Sequence, residues 1–423
     1  MDKRFSLKFV LTLMLLTLVL TSMIISALFI LIINPVNNSP SLLGLITNQT
    51  NDRPGLFGFF SRSRNQNTNE VQTFAELMEL ISSRFIGDFD NEDIMYAAMW
   101  AAVDSLDDYW SYFMSPEEYM YFRQRGDNRY SGIGVDVVVD EETGGIKVLG
   151  VRRESGAYAA GIVAGDIITA VDGMSILGFT IAETRQALQR PLGETALVTV
   201  LREDDQYYDL TVIYNLVFID PVSYEMLDGD IGYIVLRNFD TRAAERFISA
   251  VNVLIEQGAT AFIYDVRSNP GGKVTEMTMI LDFLLPEGEI FISVNSSGTE
   301  QIIRSDEDYL DMPAVVIVNS YSFSGAEYFA AILCEYDYAY TVGEQTTGKN
   351  RMQTTFQLSD GSAVHISTGE YLTKNRVSLY DTGGFTPGYL IELTEDEFGL
   401  FLSGDLSIES DPQLQKAIFL LAG

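Results

Sequence analysis

The chain has 423 residues, with 59 Asp and Glu against 27 Lys and Arg and a formal net charge of −32. That length allows two or three domains, and a 47% hydrophobic fraction suffices for real cores. The charge argues against nucleic acid as a partner, because a phosphate backbone would be repelled, and it suits the solubility of an exported protein. One cysteine, Cys334, excludes an internal disulfide and a thiolate metal cluster; it is read as a small buried residue on an apolar helix.

Residues 9–33 are almost wholly apolar, carry no charge, and follow Lys3, Arg4 and Lys8. An uncharged run of about 20 residues spans a bilayer, and the flanking cations favour the cytoplasmic side. The apolar run is long for a signal peptide, and Ser26-Ala27 is a poor cleavage site. The expectation is an uncleaved single-pass anchor over 1–34, with the rest of the chain outside the cytoplasm. Residues 35–70 are rich in Asn, Ser, Pro and Gly, show no sustained period, and read as a flexible linker.

From 71 to 130 apolar residues recur at helical spacing, among them Phe74, Leu77, Met78 and Ile81 and then Ile94, Ala97, Ala98 and Ala101. Ser115-Pro116-Glu117-Glu118 starts a helix, with Pro in the first turn and acids beside it. The 131–214 region differs. Strands are predicted at 134–139, 146–151, 167–171 and 196–201, separated by glycine turns. One helix is announced by the capping box Thr180-Ile181-Ala182-Glu183. From 215 to 423 the pattern becomes strand–helix–strand: strands at 231–236, 261–266 and 314–319, helices at 242–257 and 274–285, and a further helix after Ser324. That alternation predicts an α/β core with a parallel or mixed sheet. Ligand sites in such sheets lie at the carboxyl ends of strands, where Ser268-Asn269-Pro270-Gly271-Gly272 and Ser322-Phe323-Ser324 both fall.

Three residues could carry chemistry together: Ser324, Lys349 in Thr346-Thr347-Gly348-Lys349, and Gln353 four residues on. A serine hydrolase with a histidine base would have to use His365, the one histidine, which reads instead as a strand residue in Ala363-Val364-His365-Ile366. A Ser/Lys pair needs no histidine, because a desolvated amine can take the serine proton. Each piece has a plain reading alone: Ser324 to Glu327 is a capping box, Lys349 a surface charge, Gln353 an exposed strand residue. Gly271, Gly272 and the N–H of Gly325 could supply donors to an oxyanion. Ser131-Gly132-Ile133-Gly134 could hold a peptide carboxylate while the peptide adds a strand. The acid clusters at 306–308 and 395–397 read as solvated faces; no metal or cofactor is expected.

With these segments in order, the chain resembles the C-terminal processing peptidases, also called tail-specific proteases, over roughly 71–393. The resemblance rests on Leu106-Asp107-Asp108-Tyr109-Trp110-Ser111-Tyr112, on Ser115 to Tyr119, on Ser131 to Val135, on Ala160 to Ile168 with Val171-Asp172-Gly173, on Asp265 to Gly272, and on Ser322-Phe323-Ser324-Gly325-Ala326-Glu327. It implies a helical segment, an inserted PDZ domain over 131–214 and a protease core over 215–423. It also implies Ser324 as nucleophile, Lys349 as general base, Gln353 as its support, and protein or peptide substrates with exposed C-terminal tails. Phe323 and Gly325 stand where the family usually has alanines, Lys374-Asn375-Arg376 replaces its Pro-x-Gly, and Pro387-Gly388 its Pro-Asp. An inactive PDZ scaffold that binds C-termini is the main alternative, and a small-ester hydrolase a third. Whether the chain forms a homo-oligomer is left open.

Overall fold

The computed structural model describes residues 67–422. The expected anchor and most of the expected linker lie outside the described residues. Among the described residues no helix is long and apolar enough to cross a membrane. The chain divides into two compact units, Met1–Asp88 and Phe89–Gly423.

In the first unit the described element is α1 (Asn67–Arg84), with Glu70 in its first turn and Arg84 in its last. Both charges oppose the helix dipole. The linker expected to reach residue 70 therefore stops short: Asn67–Glu70 already belong to the helix.

The second unit opens with α2 (Asn91–Asp104), whose cap residue Asp90 accepts the Glu92 N–H at 2.7 Å. Then come β1 (Tyr112–Met114) and α3 (Pro116–Gly126). The predicted start of α3 is present: Ser115 N–H donates to Glu118 Oε2 at 2.8 Å and Glu118 N–H to Ser115 Oγ at 3.3 Å. The segment expected to be helical is thus interrupted by a strand. β1 is held by the long strand over Ala363–Leu372, with Phe113 opposite Val364.

The insert runs through β2 (Arg129–Gly132), β3 (Val135–Val139), β4 (Ile146–Val151), α4 (Gly156–Ala160), β5 (Ile167–Val171), β6 (Met174–Ser175), α5 (Ile181–Ala187), β7 (Thr195–Leu201), β8 (Tyr207–Ile213) and β9 (Asn215–Phe218). Its sheet has the order β3-β4-β5-β7-β8, with β6 on β5. Burial alternates along β4 and β7, so Ile146, Val148, Val198 and Val200 face one core with Ile168 and Tyr214. β2 pairs antiparallel with β9, tying the entrance of the insert to its exit.

The remaining elements are β10 (Val222–Leu227), β11 (Ile231–Leu236), α6 (Ala243–Glu256), β12 (Ala261–Asp265), α7 (Val274–Leu284), β13 (Gly288–Asn295), β14 (Glu300–Ser305), β15 (Ala314–Val318), α8 (Gly325–Glu335), β16 (Ala339–Gly343), β17 (Arg351–Gln357), β18 (Ala363–Leu372), β19 (Tyr389–Leu390), α9 (Glu395–Ser403) and α10 (Pro412–Leu421). The central sheet is β10-β11-β12-β15-β16-β19, parallel except for β10. β12 and β15 are buried at every residue, which explains the apolar runs Ala261–Tyr264 and Ala314–Val318; Asp265, at the end of β12, is paired with Arg267. One face packs on residues of α6, α7 and α8. The other packs on Leu414 and Ala417 of α10. A second, antiparallel sheet, β1-β18-β13-β14 with β17 on β18, was not foreseen.

Candidate active site

Two loops leave the carboxyl ends of the neighbouring strands β12 and β15, and hydrogen bonds lash them together. Ser322 Oγ donates to the Val266 carbonyl at 2.8 Å and accepts the Asn319 N–H at 3.0 Å. Asn319 Oδ1 accepts the Ser268 N–H at 2.8 Å. Phe323 N–H donates to the Asn269 carbonyl at 3.2 Å. Ser324, at the tip, has φ 57° and ψ −122°, a region that costs a non-glycine residue about 1–3 kcal/mol. The surrounding bonds hold it there. The capping box is present: Ser324 N–H donates to Glu327 Oε1 at 2.8 Å, and the Glu327 N–H turns back to the Ser324 side chain.

The glycine turn meets this tip closely. Gly271 has φ +87°, and a Cβ there would lie 2.7 Å from Gly325 N and 2.9 Å from Ser324 Cβ. Gly272 has φ +149°, and its Cβ would lie 2.4 Å from the Phe239 carbonyl carbon. Only glycine fits either place. The two are not equivalent as donors. Gly271 N–H is taken by Asn269 Oδ1 at 2.8 Å, which removes it from the expected oxyanion set. The N–H groups of Gly272 and Gly325 have no partner among the described residues.

Lys349 lies just before β17 and is 9% exposed. Burial pushes its amine down from 10.5 to about 8, against the opposing fields of Glu327 and Asp108. Its backbone is bound to the Ser324 helix through one carboxylate. Fully buried Glu327 accepts the N–H of Lys349 at 2.7 Å, the N–H of Gly348 at 2.8 Å and the Thr346 hydroxyl at 2.7 Å, besides that of Ser324. Burial nevertheless raises the Glu327 pKa above the usual carboxylate value. The Tyr371 hydroxyl donates to the Lys349 carbonyl and also faces the Ser324 side chain.

Ser324, Lys349, Gln353, Gly271, Gly272 and Gly325 all line one cavity of about 640 Å³. No hydrogen bond joins Lys349 Nζ to Ser324 Oγ. Gln353 does not touch the amine either: at a bulge in β17, its amide donates to the Arg351 carbonyl at 3.0 Å and to Ser367 Oγ at 3.1 Å. His365 is a strand residue, as expected. Its Nδ1 pairs with Thr355 Oγ1 at 2.8 Å, and burial followed by the Lys349 charge pushes it down to about 4. Ser131, Gly132, Ile133 and Gly134 do not line this cavity. Ser131 and Gly132 belong to β2, and Ser131 Oγ donates to the Arg190 carbonyl at 3.0 Å. The carbonyls of Ile133 and Gly134 accept from Ala157 and Arg152. The acid cluster at 395–397 is the first turn of α9, where Glu397 completes a capping box with Thr394. Cys334 is half-buried rather than buried.

Sequence reading missed Glu327 as a bridge, Tyr371, and Trp110, whose ring covers the Lys349 amine. Only Glu327 carried a local signal, its capping-box spacing.

A strained serine at a strand–helix junction, sharing one cavity with a buried lysine and a glycine turn, has the parts of an acyl-transfer site. The sequence profile of peptidase family S41 matches residues 230–391, and that of a PDZ domain matches 147–202. A carboxyl-terminal-processing protease of Picosynechococcus sp. is 30% identical over 335 residues, covering 78% of this chain and 79% of that one. One from Synechocystis sp. is 28% identical over 339 residues, covering 79% and 78%. A putative S41 protease from Bacteroides fragilis has a similar fold, with a TM-score of 0.50 at 20% identity over 80% of this chain and 92% of that one. The chain belongs to the carboxyl-terminal-processing proteases of peptidase family S41 and carries a PDZ domain.

Proposed function

We propose that the chain is a serine endopeptidase in which Ser324 is the nucleophile and Lys349 the general base. The neutral amine takes the Ser324 Oγ proton as the oxygen attacks a peptide carbonyl. The ammonium then returns that proton to the leaving amine as the C–N bond breaks. Water, giving a proton to the same amine, hydrolyses the resulting ester and frees Ser324. The N–H groups of Gly272 and Gly325 would hold the oxyanion, each worth about 10²–10³ in rate. Gln353 supports the base from a distance, through the Arg351 carbonyl and Ser367.

The observation that carries this reading is the pairing of a strained Ser324 with a buried amine near pKa 8 on one cavity. A base tuned towards the working pH is what proton abstraction needs.

The PDZ domain would capture substrate C-terminal tails. β3 is an edge strand of its sheet, open to a peptide strand, and the Ile133 and Gly134 N–H groups bond nothing among the described residues. Phe323 beside the nucleophile favours an apolar tail. Residues 9–33 would anchor the protein in the membrane with Lys3, Arg4 and Lys8 on the cytoplasmic side, leaving the protease outside it.

The test is cleavage of an unfolded protein with an apolar C-terminus by the full chain, Ser324→Ala and Lys349→Ala. Each variant should lose at least about 10³-fold. Equal cleavage by all three removes the mechanism, and tail binding with no wild-type cleavage favours a scaffold.

A further inference from the structure

Trp110 belongs to none of the strands or helices that carry Ser324 and Lys349. It lies in the loop between α2 and β1, yet its ring centroid is 4.2 Å from Lys349 Nζ. The same ring is 5.7 Å from that of Phe323, the neighbour of Ser324. Tyr109 packs on it edge-on at 4.9 Å. The loop is pinned to the Lys349 strand. Asp108 accepts from Ser111 Oγ at 2.5 Å and from Arg351 Nη1 at 3.0 Å, and Ser111 Oγ accepts the Ser367 N–H at 3.0 Å. Lys349 Nζ makes no hydrogen bond to any described residue, so its contact is with a π face.

An ammonium over an indole is held by the ring quadrupole, whereas a neutral amine is not. Abstraction of the Ser324 proton requires the opposite: an uncharged amine within hydrogen-bond reach of the hydroxyl. We propose that Trp110 is a positioning residue that parks Lys349 as an ammonium on the cleft wall, away from Ser324, so that the base is engaged only when the amine leaves the ring. This rests on the reading of Lys349 as the base. Leaving the ring exchanges a contact that only the cation makes for a hydrogen bond that only the free amine can accept.

The other groups around the amine are in place whatever stands at 110. Glu327 from α8 and Asp108 from the loop both favour the cation. Arg351 is turned to Asp108. His365 on β18 stays neutral, and the Tyr371 hydroxyl is on the Lys349 carbonyl. Trp110→Leu keeps an apolar cover and removes the ring; Trp110→Phe keeps a weaker face.

The experiment titrates the Lys349 13Cε resonance in the full chain carrying Ser324→Ala, with Trp, Phe or Leu at 110. In parallel it measures kcat/KM against pH with Ser324 intact. The leucine variant should lower both the Lys349 midpoint and the acid limb of kcat/KM by about one pH unit. Cleavage at pH 7 should then rise about five-fold, with the alkaline plateau within about two-fold of wild type. The phenylalanine variant should shift in the same direction by less, which keeps the test available if the leucine variant does not fold. An unmoved Lys349 midpoint in both variants overturns the proposal, as does a loss of activity that is equal at every pH. A shifted midpoint in a chain that never cleaves, wild type included, keeps the contact and sinks the dyad.

Discussion

Replacing Lys349 by methionine should make the protein more stable at neutral pH while abolishing catalysis. Lys349 is 9% exposed, and its amine has fallen from 10.5 to about 8 through burial. Below pH 8 the native state must carry an ammonium that the unfolded chain solvates freely. The difference corresponds to about 3.4 kcal/mol, at 1.36 kcal/mol per pH unit. Methionine has a similar length and fills the site without a charge, but forfeits the contact with Trp110, worth about 1–2 kcal/mol. A net gain of about 1–3 kcal/mol at pH 7 follows. The sign of its pH dependence is fixed. Between pH 8 and 10.5 the native state binds fewer protons than the unfolded one, so wild-type stability climbs across that window and the advantage of methionine shrinks. At pH 9.5 it should be about 2 kcal/mol smaller than at pH 7. Urea unfolding at both pH values, in a Ser324→Ala background to prevent self-cleavage, reads the effect. A destabilised Lys349→Met protein, or a gain equal at the two pH values, would refute the claim that a desolvated cation sits at this position.

Glu327→Gln places amide hydrogens against groups that already donate, breaking part of a four-donor cluster. It should lower kcat by about 10²-fold through misplacement of Ser324 and Lys349, with a fall in melting temperature seen by calorimetry. Gly271→Ala puts a Cβ 2.7 Å from Gly325 N at φ +87°. It should cost about 1–3 kcal/mol and reduce kcat far more than it raises KM, which steady-state kinetics would separate. Asp411→Ala leaves the buried Arg267 guanidinium with Asp265 as its one remaining acid; urea unfolding should show a loss of about 3–5 kcal/mol. His365→Gln should leave kcat/KM within about three-fold of wild type and remove no limb from its pH profile, since a ring held near pKa 4 is not the base.

The core of the site was legible because the apolar runs of β12 and β15 give way within a few residues to Ser, Asn and, after β12, Gly. The observed limits of β11, β12 and β15 fall within a residue of those read from sequence. The second sheet was not legible. β17 and β18 are rich in Thr, Ser, Gln and Gly and mostly half-buried, so no alternating pattern marks them. β1 is three residues long and is a strand only because β18 offers it an edge. Gln353 was expected beside the lysine, but a bulge between Met352 and Gln353 accompanies its turn to Ser367, and nothing local announces that irregularity. Glu327 showed one of its four partners as sequence spacing; the other three arrive from residues 346–349, a strand and a turn away.

A chain with 59 acids and 27 bases should have no difficulty neutralising a buried lysine, yet Lys349 is left with a depressed pKa. The reason lies in what its two acidic neighbours are already doing. The Glu327 oxygens are taken by three backbone N–H groups and a hydroxyl. The Asp108 oxygens are taken by Ser111, Arg351 and the Trp110 N–H; against its burial, hydrogen bonding to Ser111, Ser367 and Trp110, followed by the Arg351 charge, holds its carboxyl below the usual value. Both carboxylates act on the amine as distant fields and neither bonds it, so desolvation wins. The bonds that fix the Lys349 backbone to the Ser324 helix are therefore the same ones that deny its side chain a counterion. One saturated carboxylate sets position and basicity together, and a variant that freed either acid to reach Nζ would return the amine to a surface lysine's pKa.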